Sequence, residues 1–193
     1  RYGRRQRQMC IRDRNFNMTN NKQMFQDLVR LGQHPKEMSD TVTVMERIGH
    51  FLDDSVAKIY KKLKKEGVSK MDASSIIAER IDLQKILKKA SMDWDGGYVI
   101  GGLLGHGDAF VVRDPAGIRP AFFYKDDEVV VVASERPVIQ TVFNTDFDEI
   151  KEINPGECMI IKKSGKVFTK NVIKSKFKKS CSFERIYFSR GSD

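Results

Sequence analysis

Apolar residues recur along this chain in two rhythms, one through its first half and another through its second. From Met24 to Leu87 they step by three and four, the spacing that lays one face of an α-helix against a core. Met24, Phe25, Leu28, Val29 and Leu31 form the first such face, with Asn20 or Asn21 as cap, Gly32 as stop and Pro35 three residues beyond. Ser39-Asp40-Thr41 opens the longest helix, whose stripe runs from Val44, Met45 and Ile48 through Phe51, Leu52 and Val56 to Leu63 and ends at Gly67. Ser69-Lys70-Met71-Asp72 has the form of a capping box and starts a third helix, burying Ile76, Ile77, Leu83, Ile86 and Leu87.

From Gly96 onward the rhythm shortens to apolar runs of four or five residues punctuated by Gly, Pro and Asp, the pattern of buried strands. It predicts strands at 98–104, 109–113, 119–124 and 129–133, joined by connections too short for a crossover helix and so paired as an antiparallel meander. Asp114-Pro115-Ala116-Gly117 suits a type I turn between the second and third. Another strand, 157–162, follows the turn Asn154-Pro155-Gly156. Helices first and antiparallel sheet afterwards make an α+β protein.

Composition narrows the picture. The 193 residues suit one domain, and 40% hydrophobic content can fill a core. No apolar run approaches the length of a membrane span, and the basic start of the chain lacks the apolar core of a signal peptide. Three cysteines, Cys10, Cys158 and Cys181, are too few and too scattered for a disulfide framework, which points to a cytoplasmic home. The net charge of +9 invites a nucleic-acid reading, but residues 1–14 alone hold six arginines against one aspartate and supply +5 of it. That segment shows neither periodicity nor a cap and is read as a non-native or disordered basic tail. The lysines at 61–65 and 174–179 are read as solvated faces.

The candidate chemistry is sparse. Glycines at 101, 102, 105 and 107 imitate a phosphate-binding loop, but a strand follows where such a loop needs a helix, and a hairpin at Gly105-His106-Gly107 accounts for them. His34, His50 and His106 have no metal-ligand spacing with each other or with the cysteines. No Cys, Ser or Thr has the local setting of an activated nucleophile. Asp40, in the first turn of the longest helix, is either a cap or a receptor for a ligand ammonium group.

Three motifs in order carry a resemblance: Arg113-Asp-Pro-Ala-Gly-Ile-Arg-Pro120, Val132-Ala-Ser-Glu135, and Glu152-Ile-Asn-Pro-Gly-Glu157. They resemble the amidophosphoribosyltransferase family, as do Asn15-Phe-Asn-Met-Thr-Asn20, Gly32-Gln-His-Pro35 and Cys181-Ser-Phe-Glu-Arg-Ile-Tyr-Phe-Ser-Arg190. The resemblance implies part of an N-terminal-nucleophile αββα sandwich with antiparallel sheets. It implies a glutaminase domain, a partial type 2 glutamine amidotransferase, at 15–180, with 181–193 leading toward a phosphoribosyltransferase domain. Such enzymes make phosphoribosylamine from glutamine and phosphoribosyl pyrophosphate in the first step of purine synthesis.

The family mechanism uses an N-terminal Cys as nucleophile and an Asn-Gly pair as oxyanion hole. This chain begins with Arg1 and has Asp13-Arg14 where the pair is expected, so the resemblance implies an inactive fragment with no catalytic residue of its own. Asp40, within Met38-Ser39-Asp40-Thr41, matches the aspartate that binds the glutamine α-amino group. Cys181 matches a position that ligates a 4Fe-4S cluster in some members and not in others. For the full-length protein the resemblance implies Mg2+, a homo-oligomer, and neither a nucleic-acid nor a membrane partner. The alternatives are another class II amidotransferase, such as the glucosamine-6-phosphate-forming type, and a basic nucleic-acid-binding module.

Overall fold

The computed structural model of the protein describes residues 9–175, 179, 181–183 and 186, with side chains from residue 17 onward. Four helices come first among the helical elements: α1 (Asn21–Arg30), α2 (Asp40–Lys65), α3 (Lys70–Arg80) and α4 (Leu83–Ala90). Their ends follow local chemistry. The Ser39 hydroxyl accepts the Val42 N–H and that of Ser69 accepts the Asp72 N–H, each satisfying a donor the first helical turn leaves free. Gly67, at φ 77°, terminates α2 in a conformation that costs any other residue strain.

Among the described residues eight strands build two antiparallel sheets. The larger has the order β1 (Met9–Met18), β2 (Gly96–Leu104), β3 (Ala109–Arg113), β7 (Glu157–Ile161), β8 (Val167–Asn171). The smaller has β4 (Phe122–Lys125) between β5 (Val130–Ala133) and β6 (Lys151–Glu152). A fifth helix, α5 (Arg136–Phe143), lies outside the smaller sheet.

Side-chain alternation assembles the layers. Tyr98, Ile100, Phe110, Val112, Cys158 and Ile160 face the helices and meet Val44, Ile48, Leu52 and Leu87 in the largest core. The intervening Val99, Val111, Met159 and Ile161 face the second sheet and meet Ala121, Phe123, Val130, Val132 and Ile153. The far face of that sheet sends Phe122, Tyr124, Val131 and Ala133 against Ile139 and Phe143 of α5. Helices, sheet, sheet and helix make an αββα sandwich.

Several expectations are corrected. The four-strand meander is two hairpins in different sheets: β2–β3 belongs to one and β4–β5 to the other. Residues 113–120 do not fold back as a hairpin, for reasons set out below, and β3 finds its second neighbour in β7, pairing Phe110 with Ile160 and Val112 with Cys158. The third strand starts at Phe122 rather than residue 119, beyond Pro120, which has no N–H to give a ladder. The third helix is two, because the Asp82 side chain accepts the Lys85 N–H and restarts the helix there. The Asn20 side chain does not cap α1; its Nδ2 donates to the Asp93 carbonyl at 2.6 Å. The region after β5 is not all sheet, since Pro137 near its start helps to launch α5.

The basic tail is corrected in part. Residues 9–14 form the first part of β1, paired with β2 from Met9↔Leu104 onward, with an irregularity between Cys10 and Asp13. An unpaired β2 edge there would leave its backbone groups without partners. Residues 1–8 lie outside the described ones.

Gly102 shows how tightly the main core is fitted. It lies opposite Phe110, whose ring covers it so closely that a Cβ there would sit 2.5 Å from the ring. Gly102→Val is expected to destabilise the chain by about 1–3 kcal/mol, read from the urea midpoint. Adding Phe110→Leu should recover part of that loss; strictly additive losses would disprove the contact.

Candidate functional site

Asp40 is the first residue of α2, and its Oδ2 accepts the Met18 N–H at 3.0 Å. The carboxylate therefore ties the helix layer to the end of β1. Around this junction Thr19 Oγ1 donates to Asp95 Oδ2 at 2.5 Å, Asn20 Oδ1 accepts the Asp95 N–H, and Asn21 Nδ2 donates to the Met38 carbonyl. Arg47, 4% exposed and two turns along α2 from Asp40, donates through Nε to the Ala90 carbonyl and through Nη2 to Asp93 at 2.5 Å. The β1–α1 turn, the start of α2 and the α4–β2 loop are thus held as one polar corner.

The motif at 113–120 contains a pair of buried charged side chains. Arg113 is 2% exposed, and its guanidinium donates to Glu152 Oε1 at 2.7 Å and to the carbonyls of Arg119, Ile153 and Gly117. Asp114 is fully buried. Its Oδ1 accepts the N–H groups of Ala116 and Ile118, each at 3.0 Å, and its Oδ2 accepts those of Arg119 and Tyr98 at 3.2 and 3.4 Å. Its carbonyl takes the Gly117 N–H, as a type I turn requires, and also that of Gly156 in the turn before β7. The turn read from sequence is present, but the carboxylate curls the following residues around itself and directs the chain into the second sheet. Sequence reasoning missed this use of Asp114; the available signal was one acidic residue followed by closely spaced N–H groups in an otherwise apolar stretch.

Cys181 lies along this same loop. The N–H groups of Lys179 and Cys181 donate to the carbonyls of Ala116 and Ile118. Ile118 in turn packs on Gly97, where a Cβ would fall 2.7 Å from its side chain, and Gly97 pairs with Asn17 beside Met18. A short series of backbone and side-chain contacts thus joins the surroundings of Asp40 and Cys181. Among the described residues no three His, Cys, Asp or Glu side chains converge to hold a metal ion. An iron–sulfur cluster needs several thiolates, and among the described residues Cys181 has no second thiol beside it, so it would supply one ligand at most. Burial pushes the Cys158 thiol up to about 12, which keeps it a core residue rather than a thiolate.

A third polar cluster lies at the β2–β3 hairpin. Asp108 is 2% exposed; its Oδ2 takes the Lys162 ammonium and lies 3.0 Å from His106 Nε2, and its Oδ1 accepts the Lys163 N–H at 2.9 Å. Burial alone would raise the carboxyl, but Lys162, the Lys163 N–H and His106 together hold it below the usual carboxylate range.

The profile of "Glutamine amidotransferases class-II" matches residues 13–186. The chain belongs to this family. Amidophosphoribosyltransferase from Escherichia coli is 34% identical over 93 residues, covering 46% of this chain and 18% of that protein. The Pasteurella multocida enzyme of the same name is 26% identical over 182 residues, covering 91% of this chain and 32% of that one. The solved glutamine phosphoribosylpyrophosphate amidotransferase of B. subtilis superposes with a TM-score of 0.67 at 23% identity, over 94% of this chain and 33% of its own. That superposition shows the fold, the N-terminal-nucleophile αββα sandwich expected from the motifs. The chain spans about a third or less of the length of these relatives. Among the described residues no helix is long and apolar enough to cross a membrane.

Two outcomes follow from the geometry. In Asp114→Asn an amide N–H would face backbone donors, so stability should fall by about 2–4 kcal/mol, measured as a lower urea midpoint; an unchanged midpoint would show the carboxylate to be dispensable. Because the folded Asp108 carboxyl is depressed, its stabilisation is full above its ordinary value of 3.8 and is lost as pH falls through the lower folded value. Asp108→Asn should therefore be less stable at neutral pH and show a flatter loss of stability below about pH 4 in urea titrations across pH.

Proposed function

We propose that this chain is the glutaminase portion of an amidophosphoribosyltransferase, the enzyme that hydrolyses glutamine and transfers the ammonia to phosphoribosyl pyrophosphate to give phosphoribosylamine. The observation that carries the reading is the motif at 113–120. Most of its residues hold the loop that joins the two sheets, and matches to enzymes of that name extend over as much as 91% of the chain.

Glutamine is the substrate expected of a class-II amidotransferase domain. In that chemistry a thiolate attacks the carboxamide carbon, the oxyanion is held by hydrogen-bond donors, and ammonia leaves as an acyl-enzyme forms. We assign the nucleophile to no described cysteine of this chain. Cys158 is buried in β7, and Cys181 has no base hydrogen-bonded to its sulfur among the described residues. The contribution assigned here is recognition: Asp40 receives the glutamine α-ammonium. Its place in the first helical turn keeps a negative charge favourable there, and the Met18 N–H fixes the orientation of the carboxylate.

The chain alone is expected to show no glutaminase activity; measurable ammonia release from glutamine would overturn the assignment of the nucleophile. In the intact enzyme Asp40→Asn should raise the KM for glutamine by roughly 10- to 100-fold and leave ammonia-dependent synthesis intact. A KM for glutamine equal to that of the parent would remove Asp40 from the site.

A further inference from the structure

The last residue of β1 holds Asp40. Met18 pairs with Gly96, yet its N–H leaves the ladder and donates to Asp40 Oδ2 at 3.0 Å. A carboxylate is rigid and planar, so the bond that fixes Oδ2 also sets where Oδ1 points. How firmly Met18 is held depends on Thr19, where the strand gives way to the turn before α1. Thr19 is fastened twice to Asp95: its N–H donates to the Asp95 carbonyl at 2.9 Å, and its hydroxyl donates to Oδ2 at 2.5 Å. Asp95 is itself restrained on both sides. Its N–H donates to Asn20 Oδ1 at 3.3 Å. Gly96 after it, at φ 141°, lies so close to β1 that a Cβ would fall 2.1 Å from the Asn17 carbonyl oxygen.

We propose that Thr19 and Asp95 form a clamp that positions Asp40 for the α-ammonium of glutamine. The inference rests on the assignment of Asp40 made above and adds two positioning residues to it, neither in contact with the ligand. Both side chains are exposed. Water competes for each partner of an exposed hydrogen bond, so this one adds little to global stability and acts locally, on the end of the strand. Without the hydroxyl, one main-chain bond is left to hold Thr19 there, and the Met18 N–H sweeps a wider range of directions. Asp40 Oδ1 sweeps with it. A charge-assisted contact is strong only near its preferred distance and angle, so a loosened carboxylate loses affinity for the ammonium and leaves the chemical step as it was. Asp95 serves here as an acceptor, and its charge is not required: a neutral amide oxygen in the same place also accepts the Thr19 hydroxyl.

The test is steady-state glutamine kinetics on the intact enzyme carrying Thr19→Val, Thr19→Ser, Asp95→Asn, Asp40→Asn, or Thr19→Val together with Asp40→Asn. Thr19→Val, which keeps the shape of an exposed residue and removes its hydroxyl, should raise the KM for glutamine roughly 3- to 10-fold and leave kcat within about twofold. Thr19→Ser and Asp95→Asn, which keep donor and acceptor, should stay near the parent KM. Once Asp40→Asn has removed the charged contact, adding Thr19→Val should change the KM by less than about twofold. An unchanged KM in Thr19→Val, a fall in its kcat without a rise in KM, or full additivity with Asp40→Asn would overturn the clamp. So would a rise in KM in Asp95→Asn as large as that in Asp40→Asn, which would make Asp95 a direct charge contact. In each of these outcomes a raised KM in Asp40→Asn alone leaves the assignment of Asp40 standing. A parent-like KM in Asp40→Asn would instead remove that assignment, and the clamp with it.

Discussion

The sandwich depends on a side-by-side pair of buried charges, Arg113 and Asp114, which are satisfied by main chain more than by each other. Taking a guanidinium and a carboxylate out of water costs several kcal/mol each unless the surrounding groups replace that water. Here the replacements come from both sheets. Asp114 gathers N–H groups from its own loop and from Tyr98 at the start of β2, while Arg113 reaches carbonyls of the loop and of Ile153, next to β6. Arg113 cannot be fully satisfied until the two sheets face each other, because Glu152 and the Ile153 carbonyl belong to the second sheet and its edge, so it specifies their relative placement in a way that the apolar contacts between Val111, Met159 and Phe123 do not. The glycine at 117 is a consequence of the same constraint: it has φ 64° and presses against Pro155, leaving no space for a side chain.

Much of the fold could be read from the sequence wherever a local rule decided the outcome. Ser39 and Gly67 bound α2 because capping and positive φ act within a few residues. The β2–β3 hairpin followed from alternation and Gly107 for the same reason. What failed was non-local. The partner of β3 is β7, and no pattern in residues 109–113 distinguishes that neighbour from the strand that comes next in sequence. The start of β1 was hidden because arginines and polar residues gave it no apolar alternation; it is a strand because β2 offers it an edge. The helix at Arg136–Phe143 was hidden among strands, with Pro137 as its one local signal.

The site was legible to a lesser degree. Asp40 was singled out by position and by resemblance, yet its bond to the Met18 N–H depends on where β1 ends, which periodicity could not show. That bond gives the carboxylate a structural duty beside the recognition proposed for it. The cluster of His106, Asp108 and Lys162 was invisible because its members come from two separate hairpins, and a lone histidine in a turn carries no sign of a buried carboxylate beside it.

The strand order has a consequence for how the molecule reaches this state. β3 and β7 lie side by side, yet residues 114–156, which hold the whole second sheet and α5, stand between them in the chain. The first sheet cannot close across that gap by zipping from a turn, as β2 and β3 can. The loop-closure entropy must be met before the β3–β7 ladder returns any of it, which makes this pairing a slow, late event relative to the hairpins on either side. Until it forms, the apolar edge of β3 stays open to other chains, so the interval before closure is the period in which aggregation competes with folding.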